Sequence, residues 1–410
     1  MAMRQDTAFE EGKGDGESDS PFACTLGENA LQLFAHGPDL LAALLDLIEQ
    51  AQESLKLFYY IFAADGSGEQ VRGALIRARE RGVAVSLMID AFGSSTTTDN
   101  FFEPLRRAGG RVVWFGAGWS MRYLIRNHQK MAIADDARVL IGGFNVSDAY
   151  FGLPGDNCWH DLGLSMAGPD IAPLVRWYAL LWQWTTGRRR SYRRLRALIR
   201  IWRPGEGAFR WLVGGPTHRL SPWARIVRAD LDVARRVDMI AAYFSPGRRM
   251  LRRLSRVGLR AQEPGEGARL ILASKSDNTT TIAAARLLYG PLVKRGVEIF
   301  EYQPCRLHMK LIVIDDAVYI GSANFDMRSL FLNLELMLRI EDAEFAARMR
   351  RFIDGRAAES MAITPQVLLS RRRPWRLLKG WISYFLVAVL DYTVTRKLNF
   401  NDAEGPIDQP

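Results

Sequence analysis

Cysteine and histidine are both scarce in this chain of 410 residues, which has three cysteines and five histidines. Cys24, Cys158 and Cys305 show no metal-ligand spacing, and so few cysteines indicate a reducing compartment and no disulfide framework. The N-terminus lacks the basic stretch followed by an apolar stretch that marks a secretory signal peptide. Residues 1–25 are instead polar and acidic, and we predict that they form a disordered tail.

Two of the five histidines nevertheless stand in matching settings, 180 residues apart. The first segment reads His128-Gln-Lys-Met-Ala-Ile-Ala-Asp135 and is followed by Gly142-Gly-Phe-Asn145. The second reads His308-Met-Lys-Leu-Ile-Val-Ile-Asp315 and is followed by Gly321-Ser-Ala-Asn324. A single His-x-Lys on a strand is usually surface alternation, but its repetition with the same aspartate and asparagine is rarely accidental. The repeat indicates phosphoryl transfer through a histidine.

The spacing within each motif predicts that three polar side chains converge. The apolar residues after each lysine indicate a strand, on which a histidine and a lysine two residues apart share one face. An Asp-Asp-Ala turn and a return strand then bring the asparagine back beside them. A buried ammonium needs an anionic partner, so Lys130 and Lys310 favour a phosphate. Two such clusters facing each other would hold a phosphodiester between two imidazoles.

With these motifs the chain resembles the phospholipase D superfamily and, within it, the bacterial cardiolipin synthases that lack N-terminal membrane spans. Both copies match the family pattern His-x-Lys-x4-Asp followed by Gly-Ser-x-Asn, except that Gly143 stands where the pattern has serine. The segment from Asn324 to Glu335 and the run Tyr59-Tyr-Ile-Phe62 also resemble cardiolipin synthases more than nucleases. The resemblance extends over residues 30–355.

The resemblance implies a double displacement in which one histidine forms a phosphohistidine and the other acts first as general acid and then as general base. It implies that His128 is the nucleophile and that the motif aspartates orient the histidines. The catalytic residues that it predicts are the six motif side chains, His128, Lys130, Asp135, His308, Lys310 and Asp315.

The same resemblance predicts how the phosphate would be bound. Asn145, Ser322 and Asn324 are the expected phosphate-binding residues, and Glu335 and His160 are further candidates for the pocket. Lysines and asparagines would stabilise the charge on the phosphoryl oxygens. We therefore expect neither a cofactor nor a metal.

The predicted fold is α/β, with two similar layered β/α domains of the phospholipase D type packed with pseudo-two-fold symmetry around one shared active site. Strands alternate with helical patterns in both halves, which favours a layered sheet in each. We predict a first domain over residues 26–203 and a second over residues 208–357, joined by a linker near Pro204-Gly-Glu-Gly207. Because both motifs lie in one chain, the site requires no oligomer.

Two further segments predict contact with a membrane. Residues 176–203 combine tryptophans with many arginines and have no acidic residue, and the whole chain has a net charge of +10. Tryptophan prefers the membrane–water boundary and clustered arginines attract anionic headgroups, although the same composition also suits single-stranded nucleic acid. Residues 358–410 contain an apolar run, 381–390, that is far shorter than a membrane-spanning helix of roughly 20 residues. We predict a basic, amphipathic segment on the membrane surface, with a helix packed in the core as the alternative.

These features together predict an enzyme that moves a phosphatidyl group between phospholipids, with phosphatidylglycerol as the expected substrate. The expected partner is an anionic membrane surface and not a nucleic acid, and the expected location is peripheral, on the cytoplasmic face of a bacterial inner membrane. A phospholipase D that hydrolyses phospholipids is the main alternative. A nuclease or other phosphodiesterase is disfavoured by the tryptophan-rich C-terminal segment, and a lipid-binding scaffold without activity is disfavoured by the two complete motifs.

Overall fold

The structure is a computed structural model that describes residues 22–116, 125–188, 191–217, 220–371 and 382–385. The strands of the first half are β1 (Phe22–Leu26), β2 (Asn29–Phe34), β3 (Ser54–Tyr59), β4 (Ala84–Asp90), β5 (Arg111–Phe115), β6 (Met131–Ala134), β7 (Arg138–Gly142), β8 (Trp159–His160) and β9 (Gly163–Ala167). Its helices are α1 (Gly37–Glu49), α2 (Gly66–Glu80), α3 (Glu103–Arg107), α4 (Asp148–Phe151), α5 (Ala172–Thr186) and α6 (Tyr192–Ile201).

The second half repeats this alternation of strands and helices. Its strands are β10 (Phe209–Val213), β11 (Arg236–Ala241), β12 (Phe244–Ser245), β13 (Gly267–Ala273), β14 (Val297–Tyr302), β15 (Arg306–Leu307), β16 (Lys310–Ile314), β17 (Ala317–Gly321), β18 (Phe325–Asp326), β19 (Leu336–Glu341) and β20 (Ser360–Ala362). Its helices are α7 (Pro222–Val233), α8 (Arg248–Arg260), α9 (Thr279–Val293), α10 (Met327–Phe331), α11 (Ala343–Ala358) and α12 (Pro365–Ser370).

Each half forms one eight-stranded mixed sheet. Seven strands of each sheet have the same order and direction as seven strands of the other. The order is β1-β2-β9-β7-β6-β3-β4-β5 in the first sheet and β10-β19-β17-β16-β11-β13-β14-β20 in the second. In both sheets three neighbouring strands are parallel (β3, β4, β5 and β11, β13, β14) and the remaining core strands are antiparallel. The sheets differ in their extra edge strand, which is β1 in the first and β20 in the second. This repetition confirms the predicted α/β fold.

The motif strands lie in the middle of each sheet because their sequences are apolar on both faces. All residues of β6 and of β16 are buried, as expected for strands that are covered by other layers on both sides. The return strands β7 and β17 pair with them in antiparallel register. A continuous apolar core joins the two halves, with residues such as Met131 and Ile141 from the first and Leu311 and Leu338 from the second.

The tryptophan-rich segment packs differently from the prediction. Trp177 and Trp184 on α5 are buried, with 0% and 7% of their surface exposed, and belong to the core shared by the halves. The indole N–H of Trp177 donates to the side chain of Gln129 at 2.9 Å. The aromatic part of the segment therefore does not form a surface for a membrane, because α5 buries it between the sheets. Arginines on α6, Arg193, Arg194 and Arg200, remain exposed.

Both predicted terminal segments are shorter than expected. Residues 22–25, assigned to the disordered tail, belong to strand β1, which pairs with β2 and packs Phe22 and Cys24 against the core. Residues 360–371, assigned to the membrane segment, form β20 at the edge of the second sheet and helix α12. Most of the predicted interfacial helix over residues 375–390, namely residues 375–381 and 386–390, lies outside the described residues, as do residues 1–21.

Candidate active site

The two histidines are held by backbone contacts that cross between the halves. The amide of His128 donates to the carbonyl of Leu334, and the amide of His308 donates to the carbonyl of His160, both at 2.8 Å. Short parallel pairings accompany these bonds, between Asn127 and Leu334 and between β15 and β8. The two motifs therefore share one site at the junction of the halves.

The carboxylate that contacts His128 belongs to the second half. Its Nδ1 lies 3.3 Å from Glu335 Oε2 and 3.2 Å from the carbonyl oxygen of Ser322. The ring of Tyr60 packs against the imidazole with 4.9 Å between ring centres. Since the carboxylate accepts the proton on Nδ1, Nε2 is the nitrogen that can approach a phosphorus atom.

The carboxylate that contacts His308 belongs to the first half. Its Nδ1 lies 2.5 Å from Asp161 Oδ2. The rings of Tyr150 and Trp159 lie 5.3 Å from the imidazole, and that of Tyr243 lies 6.3 Å away. His308 is thus enclosed by aromatic rings and oriented by a buried carboxylate.

The carboxylate that orients each histidine lies just before a strand next to the motif hairpin. Asp161 stands two residues before β9, and Glu335 stands one residue before β19. Glu335 was among the sequence-predicted pocket candidates, and Asp161 was expected at most to line the pocket beside the candidate His160. β9 and β19 occupy equivalent places in the two sheets. An acidic residue before one of these strands predicts an acidic residue before the other, and this equivalence is the signal that points to Asp161.

The motif aspartates do not orient the histidines, contrary to the expectation from the sequence. The carboxylate of Asp135 accepts hydrogen bonds from the backbone amides of residues 52–54, and that of Asp315 accepts from the amides of Arg235 and Arg236. The reason is the strand itself, since seven residues of extended chain carry the aspartate to the far end of the sheet. There each aspartate adopts a left-handed backbone and anchors the entry to β3 or β11.

Both motif lysines are buried beside their histidines. Lys130 and Lys310 are 1% and 3% exposed, and each ammonium donates to the carbonyl of its own histidine. Burial lowers the pKa of Lys130 to about 7, against the opposing effect of Glu335, and lowers that of Lys310 to about 8, against Asp161. A phosphate between them would favour the protonated forms, because an anion stabilises the neighbouring charge.

The imidazoles are neutral in this environment. Burial, and secondly the charge of Lys130, lowers the pKa of His128 to about 4. Burial and the charge of Lys310 lower the pKa of His308 to about 3. Each histidine is also affected by the lysine of the other motif, which places all four groups in one electrostatic environment. A neutral imidazole is the form that can act as nucleophile or base.

The two asparagines predicted to bind phosphate are both buried. Asn145 is buried and accepts a hydrogen bond from the amide of Ile61 at 3.0 Å through Oδ1. Asn324 is 4% exposed, and its Oδ1 has no hydrogen-bond partner among the described residues. Because a carboxamide can be turned by half a rotation, this position can present an N–H donor to an anion.

Ser322 contacts the carboxylate network. Its hydroxyl donates to Glu335 Oε2 at 2.6 Å and accepts from the amide of Leu336 at 3.0 Å. Ser329 and Asn333 donate to the other oxygen, Oε1, at 2.8 and 3.3 Å. Against the effect of burial, the neighbouring His128, then Lys130 and the hydroxyl of Ser322, hold the pKa of Glu335 below its usual value. The predicted pocket residue His160 lies beside His308, with its Nδ1 2.7 Å from the hydroxyl oxygen of Tyr302.

Gly143, the departure from the family pattern, has a steric reason. A Cβ atom at this position would lie 2.5 Å from Asp161 Oδ1 and 2.9 Å from Lys310 Cδ. Any side chain here would push against the carboxylate that contacts His308. The glycine thus makes room for the close approach of Asp161.

Comparison with known proteins identifies the family. The model of the family described as cardiolipin synthase, phospholipase D-like domain, matches residues 44–172 and again residues 227–356. The chain belongs to this family. Cardiolipin synthase A of Pseudomonas entomophila L48 is 31% identical over 350 residues, which cover 83% of this chain and 71% of that protein. Cardiolipin synthase B of Escherichia coli K12 is 30% identical over 363 residues, with 87% of each chain covered.

A solved structure supports the fold of this family member. The phosphatidylserine synthase of Haemophilus influenzae Rd KW20 superposes with a TM-score of 0.68 at 12% sequence identity, over 92% of this chain and 97% of that one. At that identity the likeness concerns the fold. The family match confirms the predicted membership of the phospholipase D superfamily and the predicted enzyme class, a phosphatidyltransferase.

In the described ranges, no group of three or more histidine, cysteine, aspartate or glutamate side chains could hold a metal ion. Within the same ranges, no helix combines the length and the apolar character that crossing a bilayer requires.

Proposed function

We propose that this protein is a cardiolipin synthase-type phosphatidyltransferase that moves a phosphatidyl group from one phospholipid to the hydroxyl of another, with phosphatidylglycerol as donor and acceptor. The observation that carries the proposal is the cross-paired site. Each half supplies a histidine and a buried lysine, and each histidine is oriented by a carboxylate of the other half. Such a site can hold one phosphodiester between two imidazoles.

In the first step, His128 Nε2 attacks phosphorus, so that a P–N bond forms while the P–O bond to the leaving alcohol breaks. His308, protonated in the complex, gives its proton to the departing oxygen. The negative phosphodiester favours this proton because an anion raises the pKa of a nearby imidazole. The products are a phosphatidyl-histidine and a free alcohol.

In the second step, the hydroxyl of the acceptor attacks the phosphohistidine and His308 takes its proton. The new P–O bond forms as the P–N bond breaks, which restores both imidazoles. Lys130 and Lys310 are placed to stabilise the charge on the equatorial oxygens, together with the carboxamides of Asn145 and Asn324. The motif provides this stabilisation with side chains alone, and we propose a mechanism without a metal.

The assignment of the nucleophile rests on the order of the two motifs in the family. It is testable by trapping the covalent intermediate with labelled phosphatidylglycerol, followed by peptide mass spectrometry. We expect label on the peptide that contains His128. Label on the peptide that contains His308 would reverse the two roles.

Hydrolysis to phosphatidic acid is the main alternative, since water can replace the acceptor with the same residues. The deciding experiment incubates the protein with labelled phosphatidylglycerol in vesicles and separates cardiolipin from phosphatidic acid. We expect cardiolipin and free glycerol. Phosphatidic acid alone would identify a phospholipase.

We further propose that the protein works at an anionic membrane surface, on the cytoplasmic face of a bacterial inner membrane. Exposed arginines on α6 and on α8, among them Arg193, Arg249 and Arg252, support this proposal because clustered cations bind anionic headgroups. A lipid substrate in a bilayer also requires such contact. Nucleic acid is not proposed as a partner, and one chain supplies both motifs.

A further inference from the structure

The described part of the second half contains a large groove outside the catalytic cluster. It lies between α9 and α12 and has a volume of about 1180 Å³. This volume exceeds the roughly 300–1,000 Å³ of pockets that bind small ligands. Apolar side chains from both helices line it, namely Ile282, Leu287, Val293, Leu368 and Leu369. Leu369 is 62% exposed. A wall of this kind suits a hydrocarbon chain.

The same groove is rich in positive charge. Five cationic residues line it, which are Lys275, Arg286, Lys294, Arg306 and Arg371, and none of its described lining residues is acidic. The nearby carboxylate of Glu301 is shared by Arg286 and Arg371. The remaining cations leave an excess of positive charge beside an apolar wall. This combination is complementary to an amphiphile with an anionic head.

One end of the groove lies close to His308. Arg306 lines the groove and its guanidinium lies 5.5 Å from the ring centre of Trp159, whose ring lies 5.3 Å from the imidazole of His308. On another side, Ser276 of the groove donates to Asp277, which also accepts from the hydroxyl of Tyr243 at 3.0 Å. Trp159 on one path, and Asp277 with Tyr243 on the other, therefore lie between the groove and His308.

The first half is built differently at the corresponding place. The connection between β13 and β14 contains α9, which has 15 residues, whereas the equivalent connection between β4 and β5 contains α3, which has five. The wall that α9 supplies thus belongs to the second half. The asymmetry places the groove on the side of His308, the histidine to which the proposed function assigns the proton of the incoming alcohol.

We propose that this groove binds the acceptor phospholipid. An acyl chain would lie along α9 and α12, the phosphate would contact Arg306 and Lys275, and the headgroup hydroxyl would reach past Trp159 to His308. This inference rests on the proposed function and deepens it, because it names the site of the second lipid. Water and glycerol have no acyl chain that the groove could bind, so the groove favours transfer to a lipid over hydrolysis.

Gly290 offers a way to block the groove without disturbing the fold. It lines the groove within α9, and a Cβ atom there would meet nothing within 4 Å. Gly290→Trp should fill the groove, and Gly290→Ala is the matched control.

Each buried methylene group strengthens lipid binding several-fold, and we expect Gly290→Trp to lower cardiolipin formation by about tenfold or more. The exchange of labelled glycerol into phosphatidylglycerol, which needs no acceptor lipid, should stay within about twofold of the control, as for substitutions remote from the reacting groups. An equal loss of both reactions would overturn the proposal.

Binding separates this inference from the proposed function. Dihexanoyl phosphatidylglycerol, below its micellar concentration, is titrated into the wild-type protein and both Gly290 variants by calorimetry. We expect the alanine variant to bind like the wild type and the tryptophan variant to bind more weakly. If the wild type forms only phosphatidic acid and the binding difference persists, the transferase proposal falls and the lipid groove stands. Equal binding by all three proteins would refute the groove, as expected if the chain's own C-terminal segment filled it.

Discussion

The two halves orient their histidines by the same plan but with different side chains. At His128 the carboxylate is the longer Glu335, which is held by the hydroxyl of Ser322. At His308 it is the shorter Asp161, and Gly143 takes the place of the serine. The contact distances differ accordingly, 3.3 Å in the first case and 2.5 Å in the second. The comparison teaches that the half with the longer carboxylate has a serine that holds it, whereas the half with the shorter carboxylate has a glycine, because a Cβ atom at Gly143 would occupy the space of Asp161.

The largest expected effect comes from the histidines themselves. His128→Ala and His308→Ala should each abolish turnover, since the two imidazoles act as a unit and general acid–base catalysis alone contributes roughly 10²–10⁴-fold. Cardiolipin formation in vesicles measures the effect, and His36→Ala is the control because His36 lies outside the site, where it contacts Asp39. A histidine variant that keeps more than about a tenth of the wild-type rate would contradict a shared site.

The next largest effect should come from the carboxylates that contact the histidines. Glu335→Gln and Asp161→Asn each leave a similar shape but remove the charge that stabilises an imidazolium, and we expect kcat to fall by roughly 10²-fold. Steady-state kinetics with short-chain phosphatidylglycerol would measure this loss.

Asp135→Asn is the matched comparison among the motif aspartates. It weakens hydrogen bonds to the backbone at residues 52–54, and we expect a stability loss of about 1–3 kcal/mol with much less effect on kcat of the folded protein. Denaturant unfolding beside kinetics separates the two outcomes. A loss of kcat as large as that of Glu335→Gln, without a loss of stability, would restore a catalytic role to Asp135.

A third prediction exchanges the residues that differ between the halves. Gly143→Ser recreates the family pattern, yet we expect it to lower kcat by about tenfold or more, because its Cβ crowds Asp161 and Lys310. Ser322→Gly should have a smaller effect, since Glu335 keeps its contacts with Ser329 and Asn333. Kinetics of the two variants would test the order. A faster Gly143→Ser enzyme would show that the glycine is not required by Asp161.

A fourth prediction concerns pH and stability. The pKa values of His128 and His308 are lowered to about 4 and about 3 in the folded protein, and an unfolded histidine has a pKa of about 6.5. The unfolded state therefore binds more protons between these values, so the free energy of unfolding should fall as the pH falls from about 6.5 to about 4. Urea unfolding across this range, beside the variant with both histidines replaced by glutamine, measures the difference. If the free energy of unfolding changed with pH equally in the two proteins, groups other than these histidines would be responsible for the change.

The smallest effect is expected at the membrane surface. Removal of residues 372–410 should weaken binding to anionic vesicles while the two sheets stay folded, because the cut lies beyond Arg371, which is bound to Glu301. Each basic residue near the surface contributes about 1 kcal/mol, and salt screens it. Cosedimentation with anionic and neutral vesicles at two salt concentrations provides the measurement, and circular dichroism is the control for folding. Equal binding by both proteins would assign membrane contact to the arginines of α6 and α8.

Much of the fold and site could be predicted from local sequence. The repeat of His-x-Lys with its asparagine carries the resemblance to the family. The strands that follow it were expected from the apolar residues after each lysine, although β6 begins only at Met131 and β16 at Lys310. The return strands β7 and β17 were expected from the same runs and occur there. The interpretation of Trp177 and Trp184 as a membrane surface was wrong, because composition does not reveal which face of a helix is covered by a second sheet.

The sequence by itself determined the motif side chains, the two-fold repetition and the α/β architecture, since each depends on residues close together in the chain. Only the tertiary structure decided which carboxylate contacts which histidine. Asp161 contacts His308, and Glu335 contacts His128, across the junction of the halves, while the motif aspartate lies at the far end of a central strand of its own sheet. The extended chain of each motif carries the aspartate away from the histidine that stands seven residues before it, so the partner of each histidine has to come from another part of the chain.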